Sequence, residues 1–580
     1  MLRVARIIRA VNDKPSAVNN SSHKPVMLLA PKGRANVPHS LSLKRQTLLA
    51  VAAAAIAAAL LLTGQNSSAQ AVQEQSDLDA IQRIRAEALD HSQVMDSVGM
   101  LTDVYGPRLT GSPNLENAEQ WVVQTLQGWG IENAHLERWG PFGRGWTLEG
   151  LTASMTAQIP GGAGVSFVPL IAYPKAWSPG TNGMIRGEVV YLDVASESDL
   201  AKYRGKLRGK IVLFSPVRNV PPNFVPDAPR TSDDDLKKLA DAKLGDQQPF
   251  QPTPHQRAAA ELNNKKWELA YAGDPAVIVE PGFKDAGTVY VTAAALPPNE
   301  RSRDGKEIGP WDLSKPKVIP QLVVSTEQYN RMVRMIGRAI PVQMEVNIAV
   351  RFYDGDPMSA NIIAEIPGTD LKDEIVMIGG CIDSWHTGTG ATDNAAGVSV
   401  AMEVMRIIKS LGLAPRRTIR IGLWSAEEQG RLGSPAYVAE HFGRVANGKL
   451  EKKPDYDKFD VYFNLDYGTG RIRGLYLQGN EAVRPIFQDW LAPLSDLGAS
   501  TLTIRNMGAD HESFDEIGLP DFQFLRDYME FDTRPAHTNM DVYDHVLPED
   551  LKQAAAVAAT FVYDAAMRNQ KLPRKNPSIQ

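Results

Sequence analysis

At 580 residues, 43% hydrophobic and 22% charged, the chain is too long for one ordinary core and has a globular composition, which excludes disorder and a multi-span membrane protein. The formal charge is −5, yet residues 1–73 hold nine basic residues and one acid, Asp13, which leaves −13 on the remainder; so acidic a body excludes a protein that tracks nucleic-acid phosphates. The single cysteine, Cys381, excludes an intramolecular disulfide, so the fold must rest on its core.

Near the start, Lys44-Arg45 precede an uncharged apolar run, Leu48–Leu62, and then Ser67-Ser68-Ala69-Gln70-Ala71. A basic flank, a short apolar segment and an Ala-x-Ala ending predict a secretory signal peptide within a leader over 1–71. The run is shorter than the ~17–25 residues of a membrane span, and no later stretch is long and apolar enough. The mature chain is therefore expected to be exported, periplasmic or extracellular, without a membrane span.

From Asp77 to about Trp139 the pattern is helical, with Ile81, Ile84 and Ala88, then Trp121, Val122, Leu126 and Trp129, at helix spacing. The Gly/Pro-punctuated loop Tyr105–Pro113 lies between the two stretches. Over 150–340 the pattern changes to short β-branched runs at Gly187–Leu192, Lys210–Phe214, Ala276–Glu280, Thr288–Val291 and Gln321–Val324, with a polar, Pro-rich excursion at Pro221–Glu261. This predicts a small β-rich domain. It is expected to act as a lid or substrate wall and to be removable without unfolding the rest.

From Asn361 onward the chain reads as α/β. Strands are predicted at Asn361–Ile366, Ile375–Ile378, Thr418–Trp424, Val461–Leu465 and Phe522–Leu525. One helix carries Val398, Ala401, Met405 and Ile408 on one face, and another runs over Pro548–Met567. The alternation implies a mainly parallel sheet with helices on both faces, whose ligands bind at the carboxyl ends of the strands.

Each of those ends leads into metal-competent side chains: Cys381 and Asp383, then Glu427-Glu428, then Asp466, then a loop ending at His537, with Asp393 opening a helix. Taken singly, each has a plain structural role: a helix cap for Asp393, a first-turn acid for Glu427-Glu428, a turn residue for Asp466, a loop histidine for His537. At one edge of one sheet, those plain roles require four coincidences. The set suits metal-assisted hydrolysis, because zinc accepts imidazole and carboxylate donors and lowers the pKa of a water. In a Glu-Glu pair, one carboxylate can bind metal while its neighbour takes a proton.

Five segments carry a resemblance: Asp383-Ser-Trp-His-Thr-Gly-Thr-Gly-Ala-Thr-Asp393-Asn-Ala-Ala-Gly397, Trp424-Ser-Ala-Glu427-Glu428-Gln-Gly430, Asn464-Leu-Asp466, Gly508-Ala-Asp-His-Glu-Ser-Phe514 and His537-Thr-Asn-Met-Asp541. They resemble the zinc exopeptidases of the carboxypeptidase Q (plasma glutamate carboxypeptidase) and aminopeptidase group. The resemblance implies the zinc exopeptidase fold, with a peptidase domain split between 72–149 and 341–580 and a protease-associated insert at 150–340. It implies two Zn2+ ions bridged by Asp393, one held also by Glu428 and His537, the other by Asp466 and the residue at 381. It implies Glu427 as general base and Asp383 as the group that orients residue 381. The family has histidine at 381 where this chain has Cys381, which weakens the expectation of a second zinc.

The implied activity is hydrolysis of dipeptides or short peptides, and a homodimer is compatible with the chain. Two alternatives share the fold: a single-zinc enzyme like the glutaminyl cyclases, and a non-catalytic binding protein like the transferrin receptor. The large insert and near-complete metal set count against the first. Retention of Glu427, Glu428, Asp393, Asp466 and His537 counts against the second, since a binding role gives no reason to cluster buried charge.

Overall fold

The computed structural model describes residues 77–575 apart from 160, 163, 248, 249, 299 and 301–307. The predicted signal peptide lies outside the described residues. In chain order the strands are β1 (Glu132–Trp139), β2 (Gly145–Gln158), β3 (Val165–Pro169), β4 (Ala172–Pro174), β5 (Ile185–Tyr191), β6 (Ile211–Leu213), β7 (Val277–Pro281), β8 (Gln321–Val324) and β9 (Val342–Tyr353). They continue with β10 (Ser359–Ile366), β11 (Leu371–Cys381), β12 (Arg417–Trp424), β13 (Gly443–Ala446), β14 (Lys449–Lys452), β15 (Phe459–Asn464), β16 (Ile472–Tyr476), β17 (Thr501–Thr503) and β18 (Asp521–Arg526).

Two eight-stranded sheets organise the fold. The first has the order β1-β10-β12-β11-β15-β18-β16-β17. Its central strands β12, β11, β15 and β18 are mutually parallel, while β1, β10 and β16 add antiparallel pairs toward the edges. The α/β expectation holds. Parallel pairing brings the ends of all four central strands to one edge: Cys381 lies opposite Trp424, Gly379 opposite Asn464, and Asn464 opposite Gln523.

Both faces of this sheet are covered, so its central strands are buried on both sides even where, as in β12, Ile419, Ile421 and Leu423 alternate in sequence. On one face Val376, Ile378, Ile419, Ile421, Val461 and Phe463 pack into a core that includes the helices Leu78–Asp90, Ala396–Ser410 and Pro548–Met567. The alanine-rich Pro548–Met567 helix is buried almost throughout, and small residues let it lie close to its neighbours. On the other face Trp424, Tyr437, Phe442, Phe459, Tyr462 and Phe514 form an aromatic layer. A side chain at Gly379 would stand 1.7 Å from the Gly422 carbonyl, so only glycine permits this strand spacing.

The second sheet has the order β3-β2-β9-β5-β6-β7-β8-β4 and a core of its own, around Val189, Ile211, Val279, Leu322 and Val346. Two details depart from the sequence reading. Helical spacing stops at Gly128; after Trp129, Gly130 turns at φ 75°, and β1 becomes the edge strand beside β10. Thr288–Val291 is not a strand but runs beside 537–539, touching it through a Tyr290–Thr538 bridge.

The excursion at Pro221–Glu261 is not a free surface loop. It contains the helix Asp233–Ala240 and the start of the helix Pro254–Gly273. Arg230 pairs with Asp527 at 3.1 Å and Asp550 at 2.7 Å, two fully buried carboxylates of the first sheet's region. Leu236 packs on Tyr476 and Leu525, and Arg534 holds Asp227 at 2.7 Å. Removing 150–340 would take Arg230 from Asp527 and Asp550, which keep Arg473 and Arg471, and Asp227 from Arg534.

Candidate metal centre and catalytic edge

The loop after β11 brings Asp393 to the carboxyl edge. Arg108 is wholly buried and staples this loop, donating to the carbonyls of Ile382, Thr389 and Gly390 as well as Leu101. Burial pushes its guanidinium down to about 10, against the pull of Asp541 and Asp383. Gly390 turns at φ 68°, with Ser384 and Arg108 so close that a side chain there has no room. Asp541 then fixes the approach to Asp393, accepting from the Thr392 amide (2.6 Å), the Thr392 hydroxyl (2.8 Å) and the Asp393 amide (3.2 Å).

After β12 the chain turns sharply at Ala426, φ 59°, and delivers Glu427 and Glu428. Asp383 holds this turn. Its carboxylate accepts from the amides of Glu427 (3.1 Å) and Glu428 (3.4 Å) and from the Thr110 hydroxyl (2.9 Å). The resemblance implies that Asp383 orients residue 381; its bonds in the structure run to the Glu427–Glu428 turn. Left-handed backbone recurs at Tyr467 (φ 67°) and His537 (φ 60°), so three turns of this edge carry strain of order 1–3 kcal/mol each, as functional sites often do.

His537 arrives on the loop after β18. Its Nε2 lies 3.1 Å from Glu428 and 3.2 Å from Asp393, while its Nδ1 faces the Tyr290 hydroxyl at 3.3 Å. One donor atom each from Asp393, Glu428 and His537 lies within 4.8 Å of the others. They line a small cavity together with Trp385, Thr387 and Thr538.

The edge carries far more negative than positive charge. Burial, reinforced by Asp510, Glu428, Asp466 and Asp383, holds Glu427 well above the usual carboxylate range. Burial and Asp393 push both Glu428 and Asp466 up to about 8. Burial alone would lower His537, but Glu428, Tyr290 and Asp393 outweigh it and hold the imidazole well above its ordinary value. A cation placed among these groups would relieve their mutual repulsion.

Residues 361–562 of the chain match the family model described as peptidase family M28. The chain is a metallo-exopeptidase whose residues 361–562 match the M28 peptidase model. Carboxypeptidase Q of Mus musculus is 28% identical over 483 residues, which is 83% of this chain and 87% of that protein. Aminopeptidase YwaD of Bacillus subtilis is 29% identical over 40% of this chain and 50% of its own length. A solved structure titled as a peptidase M28 precursor from Shewanella amazonensis covers 86% of this chain and 99% of its own, with a TM-score of 0.61 and 23% identity, a likeness of fold.

Within this peptidase the seven sequence-predicted residues divide. Asp393, Glu428 and His537 are gathered, with Glu427 adjoining and Asp383 beneath the turn. Cys381 and Asp466 lie outside the gathered set, which is the one three-donor group found among the described residues. The Cys381 sulfur accepts from Asn394 Nδ2 at 3.4 Å, and Asp466 accepts from the Tyr467 amide at 2.6 Å. Sequence reasoning missed Arg108, Asp541, Asp510 and Tyr290 as parts of the site. Three of the four stand inside motifs already quoted or in the Tyr105–Pro113 loop, but Tyr290 has no sequence signal. Among the described residues no helix is long and apolar enough to cross a membrane.

Proposed function

We propose that this M28 peptidase is an exported zinc exopeptidase that hydrolyses dipeptides or short peptides, with Glu427 as general base. The observation that carries the reading is the gathering of Asp393, Glu428 and His537 within 4.8 Å at the carboxyl edge, with the half-buried Glu427 next in sequence to Glu428. Two carboxylates and an imidazole are donors that zinc accepts, and the surplus of buried negative charge suits a cation, so the residues fit the metal. Zinc bound there would polarise the scissile carbonyl and lower the pKa of a water.

The chain's own residues supply the rest. Glu427 takes a proton from the attacking water and returns it to the leaving amine. Asp383 acts through the two amides it accepts, setting the turn that presents Glu427 and Glu428 together. Tyr290 engages His537 Nδ1 and so leaves Nε2 to the donor cluster. The walls of Trp385 and Thr387 narrow the entrance and limit water. The proposal places zinc at the gathered donors Asp393, Glu428 and His537. The test is hydrolysis of free and blocked dipeptides before and after chelation. Activity should vanish with chelator and return with zinc, and turnover indifferent to chelation overturns the reading.

A further inference from the structure

The turn that presents Glu427 and Glu428 is closed on itself by its backbone. The amides of Gly430 and Arg431 both donate to the Glu427 carbonyl at 2.8 Å, the Leu432 amide donates to the Ala426 carbonyl at 3.0 Å, and the Gly433 amide donates to the Ser425 carbonyl at 3.1 Å. Two non-glycine residues, Ala426 and Arg431, pass through the left-handed region at φ 59° on either side of the acids. Residues with a side chain stay in that region only where their surroundings hold them there. At Ala426 the hold comes from Asp383, which accepts from the next two amides. At Arg431 it comes from the residue's own side chain.

The Arg431 guanidinium crosses to the segment that follows β17. It donates to the Ala509 carbonyl at 3.1 Å, pairs with Glu512 at 2.7 Å and stands 3.7 Å from Glu516. Only 14% of the side chain is exposed. That segment is itself fixed. Asp510 accepts from the Ser434 hydroxyl at 2.6 Å, the Ser434 and Ser513 hydroxyls meet at 3.0 Å, and the Tyr467 hydroxyl donates to the Gly508 carbonyl. Arg431 therefore ties the turn to a braced neighbour. The two acids on the turn differ in what else holds them. Glu428 meets His537 Nε2 at 3.1 Å, whereas among the described residues no hydrogen bond or ion pair engages the Glu427 carboxylate. The backbone of the turn thus sets where Glu427 stands.

We propose that Arg431 is a positioning residue for the general base: by anchoring the turn to the 508–516 segment, it holds Glu427 where it can take the proton of the attacking water. The inference rests on the peptidase reading above and adds a residue to it. A guanidinium suits the task because its planar fork meets a carbonyl and a carboxylate at once, which an ammonium on a flexible stem does less well. Placement matters steeply for a base, since a displacement of about 1 Å can cost about 10²-fold in rate. Arg431 is neither one of the gathered donors nor a wall of the cavity, so its effect on the reaction passes through the turn.

The experiment compares zinc-loaded wild type, Arg431→Met, Arg431→Lys and Glu512→Gln in dipeptide hydrolysis. Arg431→Met should lower kcat at least about tenfold, with KM and zinc content within about twofold of wild type. Arg431→Lys keeps a charge for Glu512 and should recover part of that loss. Glu512→Gln weakens the pair from its more exposed side and should give a smaller fall in kcat. A brace that serves folding alone would lower the urea midpoint and leave turnover untouched, so kcat within about twofold of wild type in both Arg431→Met and Glu512→Gln overturns the assignment. Zinc lost in step with activity overturns it too, because the acid displaced is then Glu428. A wild type inert toward dipeptides sinks the peptidase reading instead. Amide hydrogen exchange then still decides the anchor: faster exchange at Gly430, Arg431 and Leu432 in Arg431→Met, with the helix Ala396–Ser410 unchanged, supports it, and unchanged exchange at the turn rejects it.

Discussion

In the first sheet β12, β15 and β18 are buried almost throughout and β11 is buried from Ile375 to Cys381, whereas in the second sheet β9 alternates buried residues with exposed or half-buried ones and β3 buries none. The difference decides where chemistry can sit. A sheet closed in by helices has no solvent face on which to place polar side chains, so its acids collect where the strands end. The second sheet sends no residue into the donor cluster. It supplies partners instead: Tyr290 to His537, Arg230 to Asp527 and Asp550, and Pro174, whose carbonyl meets His386. One sheet makes the site, and the other holds and walls it.

The sharpest way to break that division is Glu427→Gln. If the base belongs to the first sheet as argued, kcat should fall by about 10²–10⁴-fold while the fold and the donor set stay intact. Stopped assays on short peptides measure it, and activity within a few-fold of wild type would end the assignment.

The contact between His386 and the second sheet gives the next largest effect, and its sign follows from burial. His386 Nε2 lies 2.8 Å from the Pro174 carbonyl, its ring meets Trp146 edge-on at 4.9 Å, and burial pushes it down to about 4. The imidazole is neutral in the folded state while the unfolded chain protonates it near its ordinary 6.5. The unfolded state therefore binds more protons between these values, and stability falls as pH drops from about 6.5 toward 4, by roughly 3 kcal/mol in all. His386→Gln should lack this component, so denaturant titrations of the two proteins across that window should converge on acidification. Parallel curves would show that His386 does not carry the linkage.

A smaller effect is expected at Arg230, in the Pro221–Glu261 excursion. Arg230→Met leaves Asp550 with Arg471 and Asp527 with Arg473, and the Arg230 side chain is 42% exposed. The loss should therefore be about 1–2 kcal/mol, below that of a fully buried pair. A drop in the urea midpoint without a change in slope would register it. No shift at all would mean that the second sheet's region does not brace the first. Smallest is Tyr290→Phe. Loss of the hydroxyl facing His537 Nδ1 should weaken metal affinity about tenfold with little change in stability, read by competition with a chromogenic chelator. Unaltered affinity would remove Tyr290 from the site.

Much of this was legible in the sequence because parallel strands couple local signals to one place. An apolar run followed by an acid marks both a strand and its carboxyl end, so Asp383, Glu427-Glu428 and Asp466 could be placed at one edge before any coordinates. His537 ends the loop that follows the strand at Phe522–Leu525, and the resemblance implies its part as a ligand. What escaped depends on contacts between residues hundreds of positions apart. Nothing local to Tyr290 points to His537, and nothing near Arg230 points to Asp550. The β1 strand was hidden because its residues follow a helix whose spacing runs cleanly to Trp129. Cys381 shows the converse case: its position was legible, but its Asn394 partner and its separation from the gathered donors come from tertiary packing.

The most direct test of the central claim is metal content after identical dialysis of wild type, Glu427→Gln, Glu428→Gln and His537→Ala, read by mass spectrometry. Asp393, Glu428 and His537 as the donor set, with Glu427 as base, predicts that Glu427→Gln keeps its zinc while Glu428→Gln and His537→Ala lose it. Zinc lost from Glu427→Gln but retained by Glu428→Gln would contradict the account.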